Sequence, residues 1–150
     1  MLKTPRKLLC AFEAVVDIAL RAGPAPVQSA ELTERQGNPR RYLEQVLQQL
    51  VRANILVGVR GPRGGYRLAR ERRRITLGEI TRALAEADDE PAGFEGALNS
   101  PMAQAVVLPL WESVQEKVFA ELDQVTIEDI CDQARSKGVA SGSAVSDFVI

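Results

Sequence analysis

The sequence predicts a mostly α-helical protein with one small two-stranded β element and a long helix in its C-terminal part. Three observations carry that prediction. Apolar residues recur at three-to-four spacing over residues 8–20, 43–51, 77–84 and 106–122, as in helices that bury one face. Between the second and third of these stretches, strand-like alternation runs into a glycine-rich turn at residues 61–65 and a short return segment. With 150 residues, 45% of them hydrophobic, the chain can bury one ordinary core.

The first helix lies within Lys3 to Leu20. Leu8, Leu9, Phe12, Val15, Val16, Ala19 and Leu20 follow helical spacing, while Glu13 and Asp17 interrupt what would otherwise resemble the apolar segment of a secretion signal. A second, short helix is expected over Gln28 to Gln36, with Ala30 and Leu32 facing inward and Gly37 as its stop. Asn38 then serves as N-cap and Pro39 as first residue of a third helix, in which Leu43, Val46, Leu47, Leu50 and Val51 form the apolar stripe. Its other face carries Arg40, Arg41, Glu44, Gln45, Gln48, Gln49 and Arg52, side chains long enough to reach base edges and phosphates.

Asn54 is placed to end this helix in the left-handed conformation. Ile55, Val57 and Val59 then alternate with Leu56, Gly58 and Arg60, and Tyr66 to Ala69 forms the return strand. The hairpin has a basic tip carrying Arg60, Arg63 and Arg67. Helix, turn, helix and basic hairpin together describe a winged helix-turn-helix, with the third helix placed for a major groove and the tip for the backbone or minor groove. A nucleotide-binding phosphate loop is the competing reading of Gly61 to Gly65, but the segment lacks the Gly-Lys-Ser/Thr ending of such loops and the spacing of a dinucleotide fingerprint.

Thr76 and Glu79 have capping-box spacing and open a helix through Leu84, with Leu77 and Ile80 on its apolar side. Residues 85–100 read as an acidic loop, rich in Asp88, Asp89, Glu90 and Glu95 and broken by Pro91, Gly93 and Gly96. From Pro101 to about Val125 a long helix places Val106, Leu110, Val114, Val118 and Leu122 at four-residue intervals, with Leu108, Trp111 and Phe119 widening the stripe and Pro109 as an expected kink. So apolar a helix needs a partner surface, within its own subunit or on a second one. Thr126 with Asp129 begins a short helix reaching Ala134, and residues 136–150, rich in Ser, Gly and Ala, are expected to form a flexible tail. The division is thus a DNA-binding unit over 1–84, the loop over 85–100, a dimerisation helix with the short following helix over 101–135, and the tail.

Charge supports this division. The net charge of −1 hides 16 Lys/Arg against 7 Asp/Glu in residues 1–82 and 3 against 13 in residues 83–150. The basic half is suited to a polyanion and the acidic half is repelled by it. There is no histidine, which removes Ser-His and Cys-His catalysis and every histidine-containing metal site. The two cysteines, Cys10 and Cys131, lack the paired spacing of a metal site; they are small buried residues or, alternatively, redox sensors. No apolar run approaches the ~20 residues that span a bilayer, so no membrane partner and a cytoplasmic location are expected.

The segments Glu34-Arg35-Gln36-Gly37, Tyr42-Leu43-Glu44-Gln45, Val59 to Ala69 and Ile75-Thr76-Leu77-Gly78-Glu79-Ile80 resemble the bacterial Rrf-type transcription regulators, a family with iron-sulfur, nitric-oxide-sensing and cysteine-metabolism members. The resemblance covers most of residues 1–130. It implies a homodimer whose long helix crosses onto the second subunit, presenting two winged helices to palindromic double-stranded DNA. It also places Tyr42, Glu44, Gln45, Arg60 and the wing of Gly61, Arg63, Gly64, Gly65 and Tyr66 at the DNA surface. Lys3, Arg6, Arg40, Arg41, Arg63 and Arg67 are the expected phosphate anchors, and Val106, Leu110, Trp111, Val114, Val118 and Leu122 the expected dimer interface. Cluster-binding members carry cysteines in the loop before the dimerisation helix. Residues 86–101 contain none here, so no iron-sulfur cofactor and no metal are expected. The reading is a non-enzymatic regulator, with repressor activity as part of that expectation. Two other readings stay open: a module docking its basic face on a partner protein, and a regulator answering to a small-molecule effector or to redox state.

Overall fold

The structure, a computed structural model, describes residues 5–87 and 98–139. Six α-helices and one two-stranded antiparallel sheet follow the predicted order: α1 (Arg6–Leu20), α2 (Ser29–Gln36), α3 (Arg40–Arg52), β1 (Leu56–Val59), β2 (Gly65–Leu68), α4 (Leu77–Ala87), α5 (Leu108–Gln124) and α6 (Ile127–Ser136).

α1 is the centre of the core. Cys10, Ala11, Ala14, Val15, Ile18 and Ala19 are buried along one stripe, and the small residues in it let neighbouring helices approach closely. Leu9, expected in the stripe, is exposed; at about 100° per residue it lies half a turn from Ile18. The helix starts after Pro5, so the expected start at Lys3 lies outside the described residues. In α2 only Leu32 is buried. Ala30, two positions away and so on the far side of the helix, is exposed, contrary to expectation. Gly37 ends the helix in the left-handed conformation as expected.

The start of α3 differs from the expectation. Pro39, not Asn38, is the flanking residue, with φ −58° and ψ 134°, and no side chain caps the helix. The Asn38 amide turns inward instead and donates to Cys10 Sγ at 3.5 Å, tying the turn between α2 and α3 to α1. Leu43, Val46, Leu47 and Leu50 are buried as predicted. Asn54 has φ 60°, and Ile55 N–H donates to Leu50 O at 3.0 Å, closing the end of the helix.

The hairpin pairs Leu56 with Leu68, Val57 with Arg67, Gly58 with Tyr66 and Val59 with Gly65. Its expected in-out alternation does not hold: Ile55 and Leu56 are both buried, whereas Val57, Gly58 and Val59 are all exposed. Only the base of the hairpin rests on the core, and among the described residues no second layer covers either face of its tip.

A 3₁₀ turn at Arg72–Arg74 leads to α4. Glu79 N–H donates to Thr76 Oγ1 at 3.2 Å, the expected cap. The helix continues to Ala87 rather than ending at Leu84, which shortens the predicted loop from its start. Asp88, Asp89, Glu90, Pro91, Gly93, Glu95 and Gly96 lie outside the described residues, as does the tail beyond residue 139.

The long helix resumes at Pro101, and residues Ala103–Val107 form a π turn directly before α5. Pro109, the expected kink, lies just after this π turn, and the helix runs on through it. Widening the preceding turn moves aside the carbonyls that its ring would crowd and absorbs its missing N–H. α6 starts with a full capping box: Thr126 N–H donates to Asp129 Oδ2 at 2.9 Å and Asp129 N–H to Thr126 Oγ1 at 3.1 Å. It runs two residues beyond the expected Ala134 and returns to the core through the buried Ile127 and Cys131.

α5 behaves differently from every other long helix. No residue of it is buried, and Val106, Leu110, Trp111, Val114 and Val118 are each between 41% and 63% exposed. No described helix is long and apolar enough to cross a membrane.

Candidate nucleic-acid interface

α3 turns its apolar stripe into the core, so Arg40, Arg41 and Gln45 are left exposed on its outer side, with Gln48 beside them. The hairpin stands next to that surface. Between them lies a groove of about 690 Å³, lined among others by Ser29, Arg40, Gln48, Arg60, Gly61 and Tyr66. The structure thus brings together the start of α2, the outer face of α3 and the wing.

Several side chains in the groove hold the elements in register. Arg40 Nε donates to Glu44 Oε1 at 3.0 Å, and Ser29 Oγ donates to the same oxygen at 3.4 Å. Glu44 therefore acts first as a fastener between α2 and α3, and it offsets part of the Arg40 charge. Gln48 Nε2 donates to the Tyr66 hydroxyl at 3.3 Å, joining helix to wing. Val27 and Tyr66 exchange backbone hydrogen bonds at 3.0 and 2.8 Å, which fix the wing base to the segment between α1 and α2.

That third pairing explains a glycine. A Cβ on Gly65 would run into the carbonyl of Val27, so Gly65, predicted at the DNA surface, is required where backbone meets backbone. Gly61 has φ 110° at the tip, a conformation that suits glycine.

The basic residues and Tyr42 predicted at the DNA surface separate into two sets. Arg40 and Arg60 line the groove, Arg41 and Arg63 are exposed beside it, and Tyr42 is half-buried against the core. Arg67 instead turns to the far side of the hairpin, where its Nη2 donates to Pro24 O. Arg6 is exposed at the start of α1, and Lys3 lies outside the described residues. Sequence reasoning missed Val27, which offers no signal for an isolated bridge, and Gln28. Gln28 N–H donates to Glu31 Oε2 at 3.3 Å, and the three-residue spacing of the pair could have revealed the α2 cap.

The long helix is joined to this unit by a clasp. Arg82 Nη1 and Nη2 donate to Asp123 Oδ1 and Oδ2 at 2.7 and 2.8 Å, and the guanidinium lies 4.9 Å from the Phe119 ring centre. Backbone bonds from Leu77 N–H to Val125 O and from Ile127 N–H to Ile75 O, both 2.9 Å, run alongside. The hydrogen bond from Arg82 holds the Asp123 carboxyl below its ordinary pKa. Any contribution of the clasp is therefore present above the ordinary carboxylate pKa and is lost as pH falls through the depressed one.

Both cysteines are in the core, Cys10 at 4% and Cys131 at 0% exposure. Burial, helped by Glu13, pushes the Cys10 thiol up; burial also pushes Cys131 up, although Arg72 opposes it. Neither has the exposed, electropositive setting of a reactive thiolate. Among the described residues no group of three or more Cys, Asp or Glu side chains is placed to hold a metal ion.

Residues 4–133 match the Rrf2 family, described as iron-dependent transcriptional regulators. The chain belongs to the Rrf2 family. The HTH-type transcriptional regulator IscR of Cereibacter sphaeroides is 38% identical over 125 residues, covering 80% of this chain and 81% of that protein. The Synechocystis sp. protein slr0846, named for the same HTH-type regulator class, is 34% identical over 148 residues, 99% of this chain and 100% of its own. Among solved structures, T. potens IscR superposes with a TM-score of 0.73 at 32% identity, covering 95% of each chain. The helix-turn-helix and wing are thus those of an Rrf2-type DNA-binding transcriptional regulator.

Proposed function

We propose that this Rrf2-family protein is a homodimeric repressor that binds a palindromic operator and works without an iron-sulfur cluster. The observation that carries the dimer is the long helix, on which Leu110, Trp111, Val114 and Val118 of α5, a helix with no buried residue, and Val106 of the π turn before it are left uncovered. A second copy covering them would bury the stripe and, with Leu122, give a self-complementary two-fold interface. Two groove-and-wing surfaces would then face one side of DNA about one helical turn apart. α3 supplies base contacts from Arg41, Gln45 and Gln48, and the wing reaches the flanking backbone or minor groove through Arg60 and Arg63. Such a regulator acts on the chromosome in the cytoplasm, and no catalytic role is assigned to it.

Arg60→Ala and Arg63→Ala are each expected to weaken operator binding by roughly 1–3 kcal/mol where the side chain reads a base. A residue meeting only phosphate shows itself by a shallower salt dependence instead. Band-shift titrations at low and moderate salt separate the two cases, and unchanged binding in both variants rejects the role given to the wing. Sedimentation equilibrium tests the dimer directly.

Support for a cluster-free mechanism lies in the thiols. Iron-sulfur clusters are held by several closely placed thiolates. This chain has two cysteines, both buried on different helices, Cys10 on α1 accepting a hydrogen bond from Asn38 and Cys131 on α6. Anaerobically purified protein is expected to be colourless, with no visible absorption band and no stoichiometric iron. A band that bleaches in air would reject this part of the proposal.

A further inference from the structure

On the side of the hairpin away from the groove, a second cleft of about 780 Å³ opens between the end of α1, the base of the wing, the 3₁₀ turn and α6. Its size falls in the range of small-molecule sites. Ile18, Leu20, Val27 and Leu68 give it an apolar wall, and five arginines line it against two glutamates.

Three of those arginines are already engaged. Arg70 pairs with Glu79, Arg73 with Glu71 at 2.7 Å and Arg135 with Asp132 at 3.2 Å. The other two have no carboxylate partner among the described residues: Arg67 donates to the Pro24 carbonyl, and Arg72, half-buried, meets the Cys131 thiol. A half-buried guanidinium without a carboxylate partner has strong donors to spare, and its planar fork fits a carboxylate or phosphate. Glu128 also lines the cleft and disfavours a multiply charged guest.

We propose that this cleft binds a small organic anion, one carboxylate or phosphate group on a short apolar body, with Arg72 and Arg67 holding the charge and the apolar wall the body. The wing feels its occupation. Val27 and Tyr66 line the cleft, and they are the two residues whose backbone bonds anchor the wing. Tyr66 also borders the groove on the other side and receives Gln48 from α3. A guest in the cleft therefore presses on the strand that sets the distance between wing and α3. This coupling rests on the reading of the groove as the DNA surface, whereas binding of the anion does not.

The test is a nitrogen-15 NMR titration of the full chain with hexyl phosphate and with hexanoate, using hexanol as the uncharged control. Saturable shifts of the Val27 and Tyr66 amides and the Arg72 Nε are expected with one or both anions and none with hexanol. Arg72→Gln removes the anchor and Ala25→Phe fills the cleft without touching a guanidinium. Each is expected to weaken anion binding about tenfold or more while leaving the remaining spectrum and anion-free DNA binding intact. Equal binding of hexanol, shifts confined to the outer face of α3, or no saturation with either anion overturns the proposal. So does an Arg72→Gln variant that keeps hexyl phosphate but binds DNA with a shallower salt dependence, since that makes Arg72 a DNA phosphate contact.

Discussion

Leu110→Glu combined with Val114→Glu is expected to yield a folded monomer whose operator affinity falls by about 10²- to 10⁴-fold. Both side chains are exposed in the isolated chain, Leu110 at 63% and Val114 at 41%, so the charges cost the single subunit little. In a dimer the same positions meet their symmetry mates, and four carboxylates would be forced into an apolar seam. The loss in affinity follows from tethering, because the second half-site contact is intramolecular in a dimer and disappears in a monomer. Sedimentation gives the mass, and titration of a full operator against a single half-site gives the loss. The half-site affinity should stay unchanged. A variant that remains dimeric places the interface elsewhere.

Gly65→Ala is expected to cost roughly 1–3 kcal/mol of stability, as for other overpacked sites, and to displace the wing from α3. The added methyl group would meet the Val27 carbonyl, which cannot move aside cheaply because Val27 and Tyr66 are bonded to each other in both directions. Relief requires the wing base to lift, and that also breaks the contact from Gln48 to the Tyr66 hydroxyl. Gly58→Ala is the matched control on the facing strand, where a Cβ meets nothing within 4 Å. Urea unfolding and operator titration of the two variants should therefore diverge. If Gly65→Ala behaves like Gly58→Ala, the backbone pairing of Val27 with Tyr66 is not what holds the wing.

Much of the fold was legible because α1 and α3 bury clean stripes. Leu43, Val46, Leu47 and Leu50 announce α3 by spacing alone, and Asn54 takes the left-handed conformation assigned to it. The failures have local causes. Asn38 is a good N-cap by type, yet the thiol of Cys10, distant in sequence, claims its side chain. Strand alternation presumes a sheet with one covered face, and this hairpin leaves the core after Leu56. The basic and polar residues of the site were visible as types, but their division was not. Arg67 sits two residues beyond Gly65 and still serves the opposite side of the hairpin, where it donates to the Pro24 carbonyl, a contact that no spacing reveals. The clasp between Arg82 and Asp123 joins residues far apart in sequence and was likewise invisible, although it sets how the long helix leaves the DNA-binding unit.

The central claim is that two copies of this chain read a two-fold symmetric DNA site through α3 and the wing. Selection of genomic fragments by the purified protein, followed by salt titration of the best fragment, tests it most directly. The expected result is an enriched inverted repeat with half-sites about 34–36 Å apart, bound by one dimer with an affinity that falls steeply as salt rises. Fragments without a shared sequence, or an asymmetric site filled by a single subunit, would contradict it.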